Sequence, residues 1–412
     1  MSKTIFFNIP AHGHINPTLA VVAELARRGE QVIYYNSEAY RDKISAAGVE
    51  FRPYPAIPAA LEAVRAAADG DIFGVGYMLV ETTRQLLPEI RAVVAQEQPD
   101  YIMFDALCFW GKEAARLAGI PQVASIPLFA MQPGVRPPLP PLAQINIVQK
   151  SLFTLIDYQS AMRRHRQQYG GDPLGMAGVF GNAGALNIVY TSADFQFHAD
   201  RFDARYKFVG PSIAVRGGYG DFDFSLLTRK PVVFISLGTV HANRSDFYQA
   251  CFKAFADHPG LFVLAVGGQT DLSTVPGAPP NFIVRQTVPQ LDLLPQVDVF
   301  ITHGGMNSVH EALYHAVPLV AVPQQIEQAM VARRVADTGA GVAIGFAPPL
   351  GKVTAAQLRQ AVDQVLADPA YKQRAARLGA SFKAAGGYQR AADEILAFAA
   401  QVTGAATSHR HA

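Results

Sequence analysis

The chain has 412 residues, half of them apolar and 17% charged, with a formal net charge of +2 and two cysteines. That length exceeds what one hydrophobic core usually absorbs, so two domains are expected. No apolar run reaches the roughly eighteen residues that a bilayer crossing needs, no single-sign charge block invites nucleic acid or an anionic surface, and Cys108 and Cys251 stand outside any CxxC spacing, as reduced thiols of a cytoplasmic protein rather than a disulfide or zinc framework.

The opening MSKTIFFNIPAHGH reads as a first strand, Lys3–Ile9, and not as a signal peptide. Ala11–Asn16 follows as a loop. Asn16 is then the cap of a helix with Pro17 at its first position, Leu19, Val22, Ala23 and Ala26 on one face, and Gly29 as its stop. A strand at Gln31–Asn36, a helix at Ala39–Ala47, a long helix at Tyr77–Gln96 with Pro88 as a kink, and a strand at Tyr101–Phe104 come next. Phe109–Ala118 is a helix closed by Gly119, Gln122–Ile126 a strand, Pro127–Pro141 a proline-rich apolar loop, and 146–169 a helical stretch.

Across 209–227 the periodicity lapses and glycine gathers, which marks a boundary. Strands resume at Val232–Ser236, Leu261–Val266, Phe282–Arg285, Val297–Thr302 and Leu319–Val322. Helices fall at Arg244–Ala256, Ser308–His315, Glu327–Thr338, Ala355–Ala367, Ala370–Ala384 and Tyr388–Val402, and the tail 403–412 is expected to fray. The alternation predicts an α/β fold with parallel sheets covered by helices. The domains are expected at 1–210 and 229–387, with a linker at 211–228 and a C-terminal helix at 388–412 returning to the first domain.

Residues 299–328 carry the most chemistry. The strand ending at Thr302 runs through His303-Gly304-Gly305 into a helix near Asn307–Ser308. A glycine turn at a helix N-terminus presents unpaired amides and the positive end of the dipole, a seat for phosphate to which His303, Asn307 and Ser308 add side-chain donors. Ser308 and Glu311 also fit a capping box that only satisfies the helix's first turn. Both readings stay open on the residues alone. No GxGxxG follows the first strand, which argues against a dinucleotide redox enzyme.

His303-Gly304-Gly305-Met306-Asn307-Ser308, with Glu311, Pro323 and Glu327-Gln328, resembles the donor signature of UDP-glycosyltransferases, and the whole chain from AHGHINP onward resembles their bacterial macrolide glycosyltransferase group. The resemblance implies a glycosyltransferase B fold, with two Rossmann-like domains whose sheets face across a cleft and the nucleotide held mostly by the second. It implies that His303, Gly305, Asn307 and Ser308 meet the diphosphate, with Ser236 and Thr239 approaching from the other side. Glu311 would accept from the ribose hydroxyls, Gln290 would lie beside the ribose, Val288 would meet the uracil edge through its backbone, and Glu327 and Gln328 would bond the sugar hydroxyls. Thr287 stands where many relatives carry an aromatic residue, which leaves UDP against dTDP open.

Displacing a nucleotide from an anomeric carbon calls for a base on the acceptor hydroxyl, and histidine, titrating at about 6.5, suits that role. His14 lies where open α/β sheets place ligands, and Asp105 ends a strand at the same edge. A packing histidine and a helix-capping aspartate are the plain alternatives; the resemblance assigns the pair as base and orienting carboxylate. His12 is expected to support. His12-Gly13-His14 lacks a third metal ligand, and Asp221-Phe222-Asp223 sits in the linker, so neither metal nor cofactor is expected. The expected reaction is inverting transfer of a hexose, glucose first, from a UDP-sugar to a small lipophilic hydroxylated acceptor held by Phe51–Gly76 and Pro127–Val148. A UDP-N-acetylglucosamine 2-epimerase-like enzyme and a non-catalytic nucleotide-sugar-binding protein are the alternatives, and the His14–Asp105 pairing weighs against both.

Overall fold

The computed structural model describes residues 2–54, 71–135, 139, 152–171, 181–214, 222–238, 244–268, 270–275, 277–347 and 350–409, with the backbone alone for Ile72 and 405–409. These residues divide into two compact units, one running up to 213 and resuming at 384, the other spanning 214–383 with Leu139.

The first unit contains β1 (Lys3–Phe7), α1 (His12–Arg27), β2 (Gln31–Asn36), α2 (Arg41–Ser45), β3 (Glu50–Pro53), α3 (Ile72–Glu97), β4 (Tyr101–Asp105), α4 (Phe109–Ala118), β5 (Gln122–Ile126), α5 (Leu155–Tyr169), β6 (Leu186–Val189) and β7 (Tyr206–Phe208). Its seven strands are parallel in the order β3-β2-β1-β4-β5-β6-β7. A parallel sheet needs helices on both faces, and alternation along β1 serves both. Ile5 and Phe7 pack with Leu86, Leu87 and Trp110 of α3 and α4, whereas Phe6 packs with Ile15, Val21 and Val22 of α1. The sequence reading missed β3, β6 and β7, which are too short for alternation to stand out.

The last helix, α12 (Gly387–His409), belongs to this first unit. Ala391, Ala392, Ile395 and Ala399 bury against α1, Arg28 pairs with Asp393 at 2.5 Å, and the Gly387 amide donates to the Val209 carbonyl at 2.6 Å. The expected frayed tail is instead helical as far as His409. Its alanine-rich sequence favours helix, and Thr403 Oγ1 donates to the Ala399 carbonyl at 2.9 Å.

The second unit contains β8 (Val232–Ser236), α6 (Ser245–Phe255), β9 (Leu261–Ala265), β10 (Phe282–Arg285), α7 (Gln290–Leu293), β11 (Val299–Thr302), α8 (Met306–Tyr314), β12 (Leu319–Ala321), α9 (Ile326–Thr338), β13 (Gly341–Ala343), α10 (Ala355–Ala367) and α11 (Pro369–Ala384). Its six parallel strands run β10-β9-β8-β11-β12-β13. β13 also escaped the sequence reading. It starts on Gly341, where a Cβ would fall 2.2 Å from the Leu319 carbonyl oxygen, so glycine here admits the neighbouring strand.

Both sheets wind outward from a central strand and then return to its other side, β1 to β4 in the first unit and β8 to β11 in the second. Loops that leave such a pair diverge at the carboxyl edge and open a crevice there. Among the described residues no helix is long and apolar enough to cross a membrane, and both cysteines are buried and free.

Candidate functional site

At the reversal point of the first sheet, Phe7 of β1 pairs in register with Phe104 of β4, so the residues that follow each strand emerge side by side. The chain leaves β1 through Asn8, Ile9 and Pro10, and Ala11 serves as an extended N-cap with φ −136° and ψ 129°. α1 then begins at His12, earlier than expected, so Asn16 and Pro17 lie inside it rather than capping and opening it. Pro17 withholds only the one N–H that the Gly13 carbonyl would accept. Burial of Ile15, Pro17 and Thr18 favours the longer helix, and the Asn16 carboxamide accepts from Lys43 Nζ at 2.6 Å instead of capping.

His14 therefore sits in a helical first turn, 9% exposed, and its Nδ1 lies 2.8 Å from Oδ2 of Asp105, which is fully buried. The other oxygen, Oδ1, accepts from the Leu107 amide at 2.8 Å, so the carboxylate is held at both ends. Burial pushes the Tyr34 and Tyr190 phenols and the Cys108 thiol up, and all three stay neutral around the Asp105 charge. The arrangement can fix one imidazole tautomer, with the proton on Nδ1, and stabilise an imidazolium when it forms. His12 is exposed and rests its ring edge-on to Tyr40 at 5.0 Å.

At the reversal point of the second sheet, Thr302 of β11 pairs with Ser236 of β8. Gly238, with φ +77°, lies so near His303 that a Cβ there would fall 2.7 Å from the imidazole, and one on Gly305 would fall 2.4 Å from its Nε2. Two glycines thus frame the His303 ring. Gly304 has φ +81° and packs against the Gln328 backbone of α9. Gly305 is the N-cap of α8, so Asn307 and Ser308 are its second and third residues, both part-exposed at the positive end of the helix. This corrects the capping-box alternative. Ser308 and Glu311 are not an N-cap and its partner, because the helix starts at the buried Met306.

Glu311 is 4% exposed and accepts from Gln290 Nε2 at 2.6 Å, while Val288 is buried just ahead of α7. Glu327 is part-exposed in the first turn of α9, and Oε1 of the buried Gln328 accepts from the Gln324 amide at 2.9 Å. Arg244 and Gln324, which the sequence reading passed over, are hydrogen-bonded to each other, and Gln324 Nε2 donates to the Val322 carbonyl at 2.7 Å, so the turn before α9 is tied down. The proline-glutamine pair opening that turn was the available signal. Ser236 accepts from the Gly238 amide at 3.2 Å. Thr239 lies outside the described residues, as do 55–70, 136–138 and 140–148 of the expected acceptor walls and Asp221 of the linker. Asp223 caps a short turn through the Ser225 amide at 2.9 Å. In the described part of the acceptor walls, Phe129 packs on Phe195 and Phe197, and Gln196 clamps Ala130 through its amide at 2.9 Å and its carbonyl at 3.1 Å.

The family described as UDP-glucoronosyl and UDP-glucosyl transferase matches residues 228–384. YojK, an uncharacterized UDP-glucosyltransferase of Bacillus subtilis (strain 168), is 33% identical over 99% of this chain and 100% of its own. The oleandomycin glycosyltransferase of Streptomyces antibioticus is 30% identical over 95% of this chain and 89% of its own. Among solved structures, the calicheamicin glycosyltransferase CalG4 superposes with a TM-score of 0.79 at 29% identity, covering 98% of this chain and 99% of its own. With two doubly wound parallel sheets and this similarity along nearly its whole length, the chain belongs to the UDP-glycosyltransferases, in their bacterial macrolide group and with the glycosyltransferase B fold, and is an enzyme of sugar transfer.

Proposed function

We propose that the enzyme transfers a hexose, glucose first, from a UDP-sugar to a hydroxyl of a small lipophilic natural product, with inversion at the anomeric carbon. The observation that carries this reading is the buried His14–Asp105 pair at 2.8 Å, at the carboxyl edge where the first sheet reverses. With Nδ1 committed to Asp105, Nε2 takes the acceptor's proton as the acceptor oxygen bonds to the anomeric carbon. The bond from that carbon to the β-phosphate oxygen breaks, and its electron pair leaves with UDP. Asp105 faces the imidazolium that results, a contribution typically of about 10²–10⁴ in rate for base catalysis.

The second unit would hold the donor. The leaving charge is met by the α8 N-terminus with His303, Gly305, Asn307 and Ser308, supported by Ser236 and Thr239. Glu311 and Gln290 suit the ribose, the Val288 backbone the uracil, and Glu327 and Gln328 the sugar hydroxyls, since carboxylate acceptors and a bifunctional amide match a polyol. Fixed dipoles at the diphosphate supply what a divalent ion supplies elsewhere, so turnover is expected to persist in EDTA without added metal. The name of YojK motivates glucose as donor sugar, and that of the oleandomycin enzyme a natural-product acceptor.

The test is a donor-by-acceptor screen read by mass spectrometry. UDP-glucose with a phenolic or macrolide acceptor should yield UDP and an acceptor heavier by one anhydrohexose, joined as a β-glycoside. Isomerised donor with no acceptor product would overturn the reading.

A further inference from the structure

We propose that Asn8, acting with Tyr34 and Thr18, is a positioning residue that fixes the turn of α1 carrying His14; this rests on His14 being the base. Asn8 continues β1 on the face of Phe6, where a buried side chain would ordinarily be apolar. Its amide is fully buried, and Nδ2 donates to the His14 carbonyl at 3.2 Å and to the Tyr34 hydroxyl at 2.6 Å. The amide orientation is determined, because a flip would set Oδ1 against the His14 carbonyl, two acceptors facing each other.

The rest of the relay follows from donor counting. Thr18 Oγ1 uses its one proton on the Ile15 carbonyl at 2.8 Å, so across the 2.8 Å contact with Thr18 the Tyr34 hydroxyl is the donor, while its oxygen accepts from Asn8. The His14 carbonyl is thereby held by the Asn8 side chain at the end of β1, and the Ile15 carbonyl by Thr18 of the same helix, which Tyr34 ties to the sheet. Asn8 is itself anchored. Its amide donates to the Tyr35 carbonyl at 3.3 Å, and its carbonyl accepts from Asn36 Nδ2 at 3.2 Å and Tyr54 Oη at 3.0 Å. Asn8 Oδ1 is buried without a partner, a cost that an apolar residue of the same size would escape while offering no donor to His14.

The histidine is thus fixed at both ends, its carbonyl by Asn8 and its ring by Asp105. Among the described residues, the titratable groups packed around the pair include Tyr34 of β2, Tyr54 past β3, Cys108 ahead of α4 and Tyr190 past β6, all raised by burial and neutral. Lys43 is bound to Asn16 and His12 lies against Tyr40 on the outer side of the turn. Loosening the turn acts on the His14–Asp105 contact.

The experiment compares Asn8→Ala, the near-isosteric Thr18→Val and Tyr34→Phe, and the hydroxyl-keeping Thr18→Ser, with His14→Ala as reference. Asn8→Ala should lower kcat about 10-fold, and Thr18→Val several-fold, with donor KM within about twofold, since small misplacements of a reacting group cost rate before affinity. The acid limb of the kcat–pH profile should move to lower pH, because the carboxylate then stabilises the imidazolium less. Thr18→Ser should restore both. An inactive His14→Ala beside a folded Thr18→Val and Tyr34→Phe with unchanged kcat and acid limb would overturn the inference alone. So would losses that track melting temperature, leave the acid limb in place and are not recovered by serine. Should Asn8→Ala fail to fold, the two near-isosteric variants decide. Full activity in His14→Ala would instead overturn the base assignment on which the relay stands.

Discussion

Asp105→Asn is the sharpest perturbation the first unit offers. The carboxylate uses Oδ1 for the Leu107 amide and Oδ2 for His14 Nδ1, each at 2.8 Å. Asparagine has one oxygen, and the Leu107 amide can only donate, so the oxygen stays there and the new Nδ2 faces the imidazole. His14 Nδ1 must then accept, which moves the ring proton to Nε2, the nitrogen that takes the acceptor's proton in the proposed scheme. The imidazolium also loses its facing anion. A loss of about 10²–10⁴ in kcat is expected, or about 2.7–5.5 kcal/mol of transition-state stabilisation. The fold should survive, because the change removes a buried charge and keeps the shape. Initial rates at saturating UDP-glucose with one phenolic acceptor give kcat, and calorimetry gives UDP affinity, expected to hold within about twofold since the proposed donor residues belong to the other unit. A kcat within about threefold of the parent enzyme would refute the tautomer argument.

Two further predictions concern the second unit. Gly305→Ala has no backbone penalty at φ −63°, but its Cβ would meet His303 Nε2 at 2.4 Å, so the ring must shift. Donor KM should rise about 10-fold with melting temperature nearly unchanged, and an unchanged KM would remove His303 from the phosphate seat. Burial pulls His310 down to about 3, and its ring stands edge-on to Phe382 at 5.0 Å. The unfolded chain then binds the extra proton as pH falls from about 6.5, so this ring erodes stability toward acid by up to about 1.4 kcal/mol per pH unit. His310→Phe should flatten the stability–pH curve between about pH 6 and 4 in urea titrations, and an unaltered slope would contradict the buried neutral ring.

Much of the fold was legible where local chemistry and packing agree. Phe109–Ala118 ends at Gly119 in the left-handed region at φ +67°, and Val232–Ser236 and Phe282–Arg285 are apolar runs whose ends the structure keeps. Sequence signals failed where packing outweighed a cap. Asn16-Pro17 has the form of a helix start, yet buried Ile15 extends the helix back to His12; Ser308 and Glu311 have capping-box spacing, yet buried Met306 starts the helix sooner. His14 and Asp105 are separated by 91 positions, and no spacing rule joins them. Their shared address, the carboxyl ends of two strands, was readable; that β1 and β4 are neighbours was not. Asn8 was passed over because it fell inside the expected strand Lys3–Ile9, where one polar residue in an apolar run carries no signal of a partner in the helix that follows.

The most direct measurement is turnover and UDP binding in His14→Ala. Removal of the imidazole should abolish glucosyl transfer to the acceptor while UDP binds with nearly parental affinity. Transfer at the parental rate from that variant would contradict proton abstraction by His14 and, with it, the catalytic scheme proposed for this enzyme.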